Sequence, residues 1–312
     1  MALISLTGVQ VAFPSRYGRI CAADSVDLAL DTGDRMALIG ESGCGKTVLG
    51  MAVMGLLPEN AHVSGTIRYG DRDLLTLPPA AMQQIRGREI SMIQQNSANS
   101  LNPVMTVGEQ VAESLLVHRH LSRHAAQEEV SRLLGLMGFE DPERVQGCYP
   151  HEFSGGMRER ILIALALACN PRLVIADEPT AGLDAQVRLQ VLNLIKNQIG
   201  DNRTLLLITH DLGAAALLCT LIAVMYAGEI IETGPLHAVL SMPKHPYTLG
   251  LIASHPSAGL HPIPGMSPPP DQLPDGCRFC PRCSAATDAC RCTHPALTDT
   301  GGSRQVRCLQ YD

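Results

Sequence analysis

The chain reads as an open α/β domain built around a phosphate-binding loop, and three stretches predict this. Gly40-Glu41-Ser42-Gly43-Cys44-Gly45-Lys46-Thr47 carries glycines and a terminal Lys-Thr at the spacing of a loop that wraps successive phosphates with backbone N–H groups. Leu173-Val174-Ile175-Ala176 is an unbroken apolar run, as expected of a strand covered on both faces, and it ends in Asp177-Glu178. Leu205-Leu206-Leu207-Ile208 repeats the pattern and ends in Thr209-His210-Asp211. Ligands of open α/β sheets bind at the carboxyl ends of strands, which is where these polar residues emerge.

Taken in order, Leu3-Ile4-Ser5-Leu6 alternates directly after Met1, shows no export signal, and opens an antiparallel and nucleotide-binding core over residues 1–95. Arg35-Met36-Ala37-Leu38-Ile39 predicts a buried strand before the loop, and a helix starting at Lys46 and running over 48–57 is stopped by Pro58. The start of that helix adds a positive dipole end to the loop. Lys46 would reach the β- and γ-phosphates, and the Thr47 hydroxyl would take one Mg2+ position. Residues 96–155 predict a helical insertion, with helices over 107–117 and 123–137. Ser154-Gly155-Gly156 opens a helix running through Cys169 and makes a second anion-binding N-terminus. Asp177 would hold Mg2+, Glu178 would orient and polarise an attacking water, and His210 could hydrogen-bond a γ-phosphate. Residues 212–228 are uncharged but contain Gly213, Thr220 and Gly228, so they predict a helix turning into a buried strand rather than a membrane span. The core runs on through Glu232, His245-Pro246-Tyr247-Thr248 marks its exit, and the prolines of 262–274 mark a linker.

A chain of 312 residues suits one elaborated α/β domain plus an extension, and a net charge of -6 gives no support for a nucleic-acid partner. Six of the eleven cysteines follow residue 276: Cys277, Cys280, Cys283, Cys290, Cys292 and Cys308. Without an export signal the expected surroundings keep thiols reduced, where clustered cysteines mean metal or iron–sulfur more often than disulfides. Cys277-x2-Cys280-x2-Cys283 has ferredoxin-like spacing, although a fourth ligand would come from farther along than in that pattern. Iron–sulfur, zinc and no metal all stay open on the residues alone. Cys44 is expected to be a small residue facing the nucleotide, and Cys21, Cys148, Cys169 and Cys219 to be structural.

With these pieces in this order, the sequence resembles the nucleotide-binding domains of ABC transporters over about residues 3–250. Gly40 to Thr47 matches their Walker A motif, Phe153 to Met157 their signature, and Leu173 to Glu178 their Walker B. The resemblance implies an ABC-type P-loop fold with an antiparallel β subdomain, an inserted α-helical subdomain at about 96–155, and a second region, 251–312, holding the linker and a Cys-rich extension. It implies ATP and Mg2+ as cofactors and adds residues. Gln95 resembles the Q-loop glutamine that contacts Mg2+ and the attacking water, Asp184 the D-loop aspartate of the dimer interface, and His210 the switch histidine. Phe13 lies where an aromatic stacks on adenine, with Tyr17 as the weaker candidate. Gly40, Ser42, Gly43, Cys44 and Gly45 would line the phosphates with Lys46 and Thr47. In this family the signature of one subunit caps the ATP held by the other, so Ser154, Gly155 and Gly156 imply a dimer.

Gly276-Cys277-Arg278-Phe279, Pro281-Arg282-Cys283, Ser100-Leu101-Asn102-Pro103 and 245–248 resemble oligopeptide/dipeptide permease ATPases. That resemblance implies Cys277, Cys283, Cys290 and Cys308 as a [4Fe-4S] ligand set, with zinc as the alternative and Cys280 and Cys292 as departures. It further implies a paralogous second ATPase subunit, two transmembrane permease subunits, an extracytoplasmic solute-binding protein, and a peripheral position on the cytoplasmic face of the plasma (inner) membrane. Residues 95–107 are expected to receive a permease coupling helix. The cargo implied is a di- or oligopeptide, with nickel or metal chelates as the alternative and a soluble, non-transport ABC ATPase or a non-hydrolytic regulatory subunit as lesser readings. Phe153 and Met157 replace the more usual Leu and Gln, Gln94 stands where relatives often have Phe, and Cys219-Thr220-Leu221 lacks the charges common there.

Overall fold

A computed structural model describes residues 2–15, 18–94, 100–200, 202–256 and 259–311. The chain forms two compact units, Met1–Thr76 with Leu207–Asp312, and Leu77–Leu206. Among the described residues no helix is long and apolar enough to cross a membrane.

The first unit begins with an antiparallel sheet. Strand β1 (Ile4–Ser15) alternates buried and open positions and pairs on one side with β2 (Gly18–Leu30). The buried strand β3 (Arg35–Ile39) then leads through the phosphate loop into helix α1 (Lys46–Met54). Gly55 ends α1 in the left-handed conformation, three residues ahead of Pro58, so a terminating glycine stops this helix before the proline is reached. On the other side β1 pairs with β4 (His62–Tyr69), which carries β5 (Arg72–Asp73) at the sheet edge.

The second unit supplies α2 (Pro79–Ile85) and β6 (Ile90–Ile93), which pairs in parallel with β7 (Leu173–Asp177). Between these strands lie α3 (Val107–Arg119), α4 (Arg123–Leu136), α5 (Pro142–Gly147) and α6 (Gly155–Leu167). Helix α3 starts at a capping box, in which the Glu109 N–H donates to Thr106 Oγ1 and the Thr106 N–H to the Glu109 carboxylate. The buried Gln110 amide binds the N–H and carbonyl of Asn102 and the carbonyl of Met105, fixing the loop ahead of the helix. Helix α7 (Ala185–Ile199) buries Val191, Leu192, Ile195 and Ile199, a stripe with the helical period. The division between the units falls inside β8 (Thr204–Thr209).

The rest of the first unit follows. Residues 212–228 form α8 (Leu212–Leu218) and then β9 (Leu221–Tyr226), which pairs in parallel with β3. A two-residue turn with positive φ at both Ala227 and Gly228 returns the chain in β10 (Glu229–Pro235). Helices α9 (Leu236–Ser241) and α10 (Pro246–Ala253) come next, then the short α11 (Ala289–Cys292). Two strands of two residues, β11 (Thr298–Asp299) and β12 (Gln305–Val306), then add to the free edge of β10. The Cys-rich extension therefore completes a sheet of the unit that holds the phosphate loop.

One buried carboxylate ties that edge together. Glu232, with 0% exposure, accepts from the N–H groups of Lys244 and His245 and from Arg304 Nη2 at 2.6 Å, while Arg304 also donates to the carbonyls of Ala238 and Met242. Removing either charge would strand the other in the interior. His245 is buried beside it, and its Nδ1 accepts the Tyr247 N–H to cap α10. Burial pushes this imidazole down to about 3, against the weaker upward pull of its hydrogen bond to the Arg307 carbonyl.

The native imidazole therefore stays neutral through a range where the unfolded one takes up a proton. The stability tied to His245 is complete above about pH 6.5 and drains as pH falls toward 3, by at most ~1.4 kcal/mol per pH unit. His245→Asn keeps a capping acceptor without a titrating ring. Denaturant unfolding followed between about pH 6.5 and 4 should show a flatter acid limb for this variant, and an unchanged slope would remove His245 as the cause.

Candidate active site

The phosphate loop lies in the first unit. Gly45 has φ 108°, and a Cβ there would run into the Ala22 carbonyl and the Met225 side chain, so only glycine lets the loop seat itself. As N-cap of α1 it offers no side chain to occupy the first N–H groups of the helix, which suits them to an anion's oxygens. Lys46 is buried, and its ammonium donates to the carbonyls of Gly40 at 2.8 Å and Glu41 at 2.9 Å. Its third contact, 3.7 Å to Cys44 Sγ, is weak enough for a phosphate oxygen to replace. The Glu41 N–H donates to the Tyr247 hydroxyl, so the loop is also held from α10.

Cys44 is 4% exposed, and its thiol lies against the Lys46 ammonium. Burial pushes this thiol up, with the Lys46 ammonium pulling against it. Phe13 is half-buried on β1 opposite Ile20. His210 is exposed just beyond β8, followed by Asp211, which caps α8 through the N–H groups of Gly213 and Ala214. Tyr17 and Gln95 lie outside the described residues.

The second unit holds the acidic pair and the signature. Asp177 ends β7 at 1% exposure. Glu178 follows with φ 46°, a left-handed conformation that costs a non-glycine residue and is concentrated at functional positions. Ser154 caps α6, its Oγ accepting the Met157 N–H at 3.4 Å. A Cβ on Gly156 would fall on Val187 Cγ1, so this glycine is required by the approach of α6 to α7, a reason the motif alone does not reveal. Phe153 is buried edge-on against Phe139 at 6.2 Å, which accounts for an aromatic in place of Leu. Asp184 is exposed and is the N-cap of α7, accepting from Gln186 and Val187 at 3.0 Å each.

In the first unit a cavity of about 20 Å³ is lined by five cysteines, Cys277, Cys280, Cys283, Cys290 and Cys308, with His245 and Phe279. Burial pushes the Cys277 thiol up to about 11 and raises Cys283 as well. Hydrogen bonds from the Thr287 hydroxyl and N–H lower Cys290. Cys292 does not share the cavity: it is exposed on α11 and contacts the carbonyls of Asp288 and Ala289. None of the cysteines forms a disulfide, and among the described residues no three His, Cys, Asp or Glu side chains are grouped to hold a single metal ion.

Comparison with known proteins adds to this geometry. The profile of the ABC transporter family matches residues 23–181, and that of the oligopeptide/dipeptide transporter C-terminal region matches residues 231–290. The oligopeptide transport ATP-binding protein AppD of Bacillus subtilis is 40% identical over 318 residues, spanning 99% of this chain and 97% of AppD. The dipeptide transport ATP-binding protein DppD of the same organism is 42% identical, covering 99% of this chain and 95% of DppD. The oligopeptide transport ATP-binding protein OppD of Salmonella typhimurium is 39% identical, covering 94% of this chain and 89% of OppD. Among solved structures, the ATP-binding cassette MJ0796, a dimer in a post-hydrolysis state with ADP and Pi, superposes with a TM-score of 0.66 at 26% identity. That match covers 75% of this chain and 98% of the cassette.

The Gly156 contact is open to test. Gly156→Ala should lower stability by roughly 1–3 kcal/mol through overpacking, and adding Val187→Ala should recover most of the loss. Melting curves in which the double variant is as unstable as the single one would show that Val187 is not what excludes the methyl group.

Proposed function

The chain belongs to the ABC transporter ATP-binding proteins and carries the C-terminal region of their oligopeptide/dipeptide branch, and from this membership we propose that it is the ATP-hydrolysing subunit of an importer for di- or oligopeptides. It is an ATPase with the cassette fold, and it works on ATP with Mg2+. The observation that carries the importer reading is the joint match of cassette and peptide-branch C-terminal region, along 99% of the chain, in relatives named for oligopeptide and dipeptide transport. Nickel or chelate import and non-transport roles receive no comparable support.

Catalysis in this reading is positioning and charge neutralisation. Lys46, held by two loop carbonyls, presents its remaining donor to the β- and γ-phosphates. Gly40, Ser42, Gly43, Cys44 and Gly45 contribute backbone N–H groups, and Phe13 stacks on adenine. Thr47 and Asp177 would hold Mg2+ with Gln95; a hydroxyl and a buried carboxylate are the hard oxygen donors this ion takes, and bound Mg2+ supplies charge neutralisation at the phosphates. Glu178 orients and polarises the attacking water, its strained backbone fixing where the carboxylate starts. His210 contacts the γ-phosphate. Ser154, Gly155 and Gly156, at the start of α6, cap the ATP of a second subunit, with Asp184 at the same interface.

That second subunit is a paralogous ATPase, and the pair drives two permease subunits from the cytoplasmic face of the inner membrane, with a solute-binding protein delivering cargo. A permease coupling helix would dock near residues 95–107. Among the described residues of that stretch Leu101 is 3% exposed and serves the interior, while Val104 stands at 79% exposure. A groove of about 940 Å³ lined by Met105, Thr106, Glu109, Glu113 and Leu116 follows directly.

Cys277, Cys283, Cys290 and Cys308 are the ligands of a [4Fe-4S] cluster, and what supports this is that all four line one cavity. Zinc on the same thiols is the alternative. Cys280 is a fifth thiol on the same wall.

Purification without oxygen should give about four iron and four sulfide per chain, unchanged in Cys292→Ser and lost in Cys283→Ser. Protein free of iron and sulfide after such handling would refute the assignment. Glu178→Gln should retain ATP-dependent dimerisation while hydrolysis falls at least ~100-fold. Cells carrying that variant on the chromosome should lose uptake of a labelled dipeptide, and normal uptake at normal protein levels would exclude peptide import as the function.

A further inference from the structure

The second residue of the phosphate loop is an acid. Glu41 follows Gly40 directly in a loop whose task is to hold a chain of negative phosphates, and a carboxylate there is a like charge at close range. Each polar group of Glu41 has a partner. Its N–H donates to the Tyr247 hydroxyl at 2.9 Å, and its carbonyl accepts from Lys46 at 2.9 Å. Its two carboxylate oxygens accept from Arg282, Nη1 to Oε2 at 2.8 Å and Nη2 to Oε1 at 2.9 Å.

Arg282 comes from the Cys-rich extension, 241 residues away in the chain. Its side chain is 5% exposed. Nε donates to the Pro264 carbonyl at 3.0 Å, Nη1 also reaches the Tyr226 hydroxyl at 3.4 Å, and the guanidinium lies over the rings of Tyr226 and Phe279. A two-pronged pair with its cation fixed on every side is the strong and specific form of an ion pair. The turn that carries Arg282 (Cys280–Arg282) is flanked by cysteines of the cavity wall.

We propose that Arg282 is a positioning residue for ATP binding: it cancels the Glu41 charge and fixes the loop, so that the extension helps to build the nucleotide site of its own chain. The inference rests on the phosphate loop holding ATP. Without Arg282 the loop presents an uncompensated carboxylate to the phosphates, and the penalty grows with the number of phosphate charges. A purely structural role would instead weaken every ligand alike.

The test uses the full chain and measures affinity for ATP, ADP and adenosine, with melting temperature beside each. Arg282→Gln should weaken ATP on the order of tenfold, ADP less and adenosine hardly at all. Glu41→Gln added to it should return ATP affinity to near that of the wild type, and Arg282→Lys should fall between. Should Arg282→Gln fail to fold, Glu41→Gln alone decides, since with Arg282 left uncancelled it should bind ATP at least as tightly as the wild type. Unchanged ATP affinity in Arg282→Gln, equal loss for adenosine, absence of rescue by Glu41→Gln, or weakened binding in Glu41→Gln alone would each overturn the proposal. Wild-type protein that binds no ATP would instead overturn the nucleotide site itself, and this inference with it.

Discussion

A strand covered on both faces has no place for a polar side chain until it ends. That constraint orders the chemistry of this protein. β3, β7 and β8 are buried almost throughout, and each hands over to residues proposed for the nucleotide site within one or two residues of its last apolar position. The phosphate loop follows β3, Asp177 and Glu178 close β7, and His210 follows β8. Desolvating an unpaired carboxylate costs several kcal/mol, and Asp177, at 1% exposure, takes the last position of β7 with Glu178 just outside it. The strained backbone at Glu178 is the local cost of turning out of such a strand at once.

Close backbone approach is the second constraint, and it makes the motif glycines serve packing as well as ligand. Gly45 lets the loop lie on the Ala22 carbonyl, and Gly156 lets α6 meet α7 at Val187. A motif conventionally read as phosphate chemistry is thus also a packing motif. Phe153 and Cys44 belong with this reading, since both are buried and set the frame from which backbone groups work.

The extension is held into the first unit by charge as much as by apolar contact. Arg278 bridges Asp24, Glu229 and the Ala227 carbonyl, and His294 pairs with Glu229 at 2.8 Å. Although burial alone would raise the Asp24 carboxyl, its bonds from Arg278 and Gln10 hold it below the usual range. Phe279 fills the space among Tyr226, Tyr247 and His245, an aromatic group that joins β9, α10 and the extension. Few aromatic residues exist in the chain, four Phe and six Tyr with no Trp, and several of them are placed here. Arg304 on Glu232 repeats the pattern at the sheet edge.

The sequence by itself determined the elements and the position of the chemistry along them. The buried runs became β3, β7 and β8, the insertion became helices starting at Val107 and Arg123, and residues 212–228 turned from helix to strand, because these follow from local periodicity and from caps within a few residues. Which side chains meet across long stretches of chain was decided only by the tertiary structure. Cys280 on the cavity wall and Cys292 off it are alike in sequence, and only the turn at 280–282 separates them. Arg282 on Glu41, Arg304 on Glu232 and Val187 on Gly156 leave no periodic or spacing signal, because each depends on where two distant segments are brought by burial of their apolar neighbours. Local rules set what each segment can be, and desolvation across the core sets which polar groups must find each other.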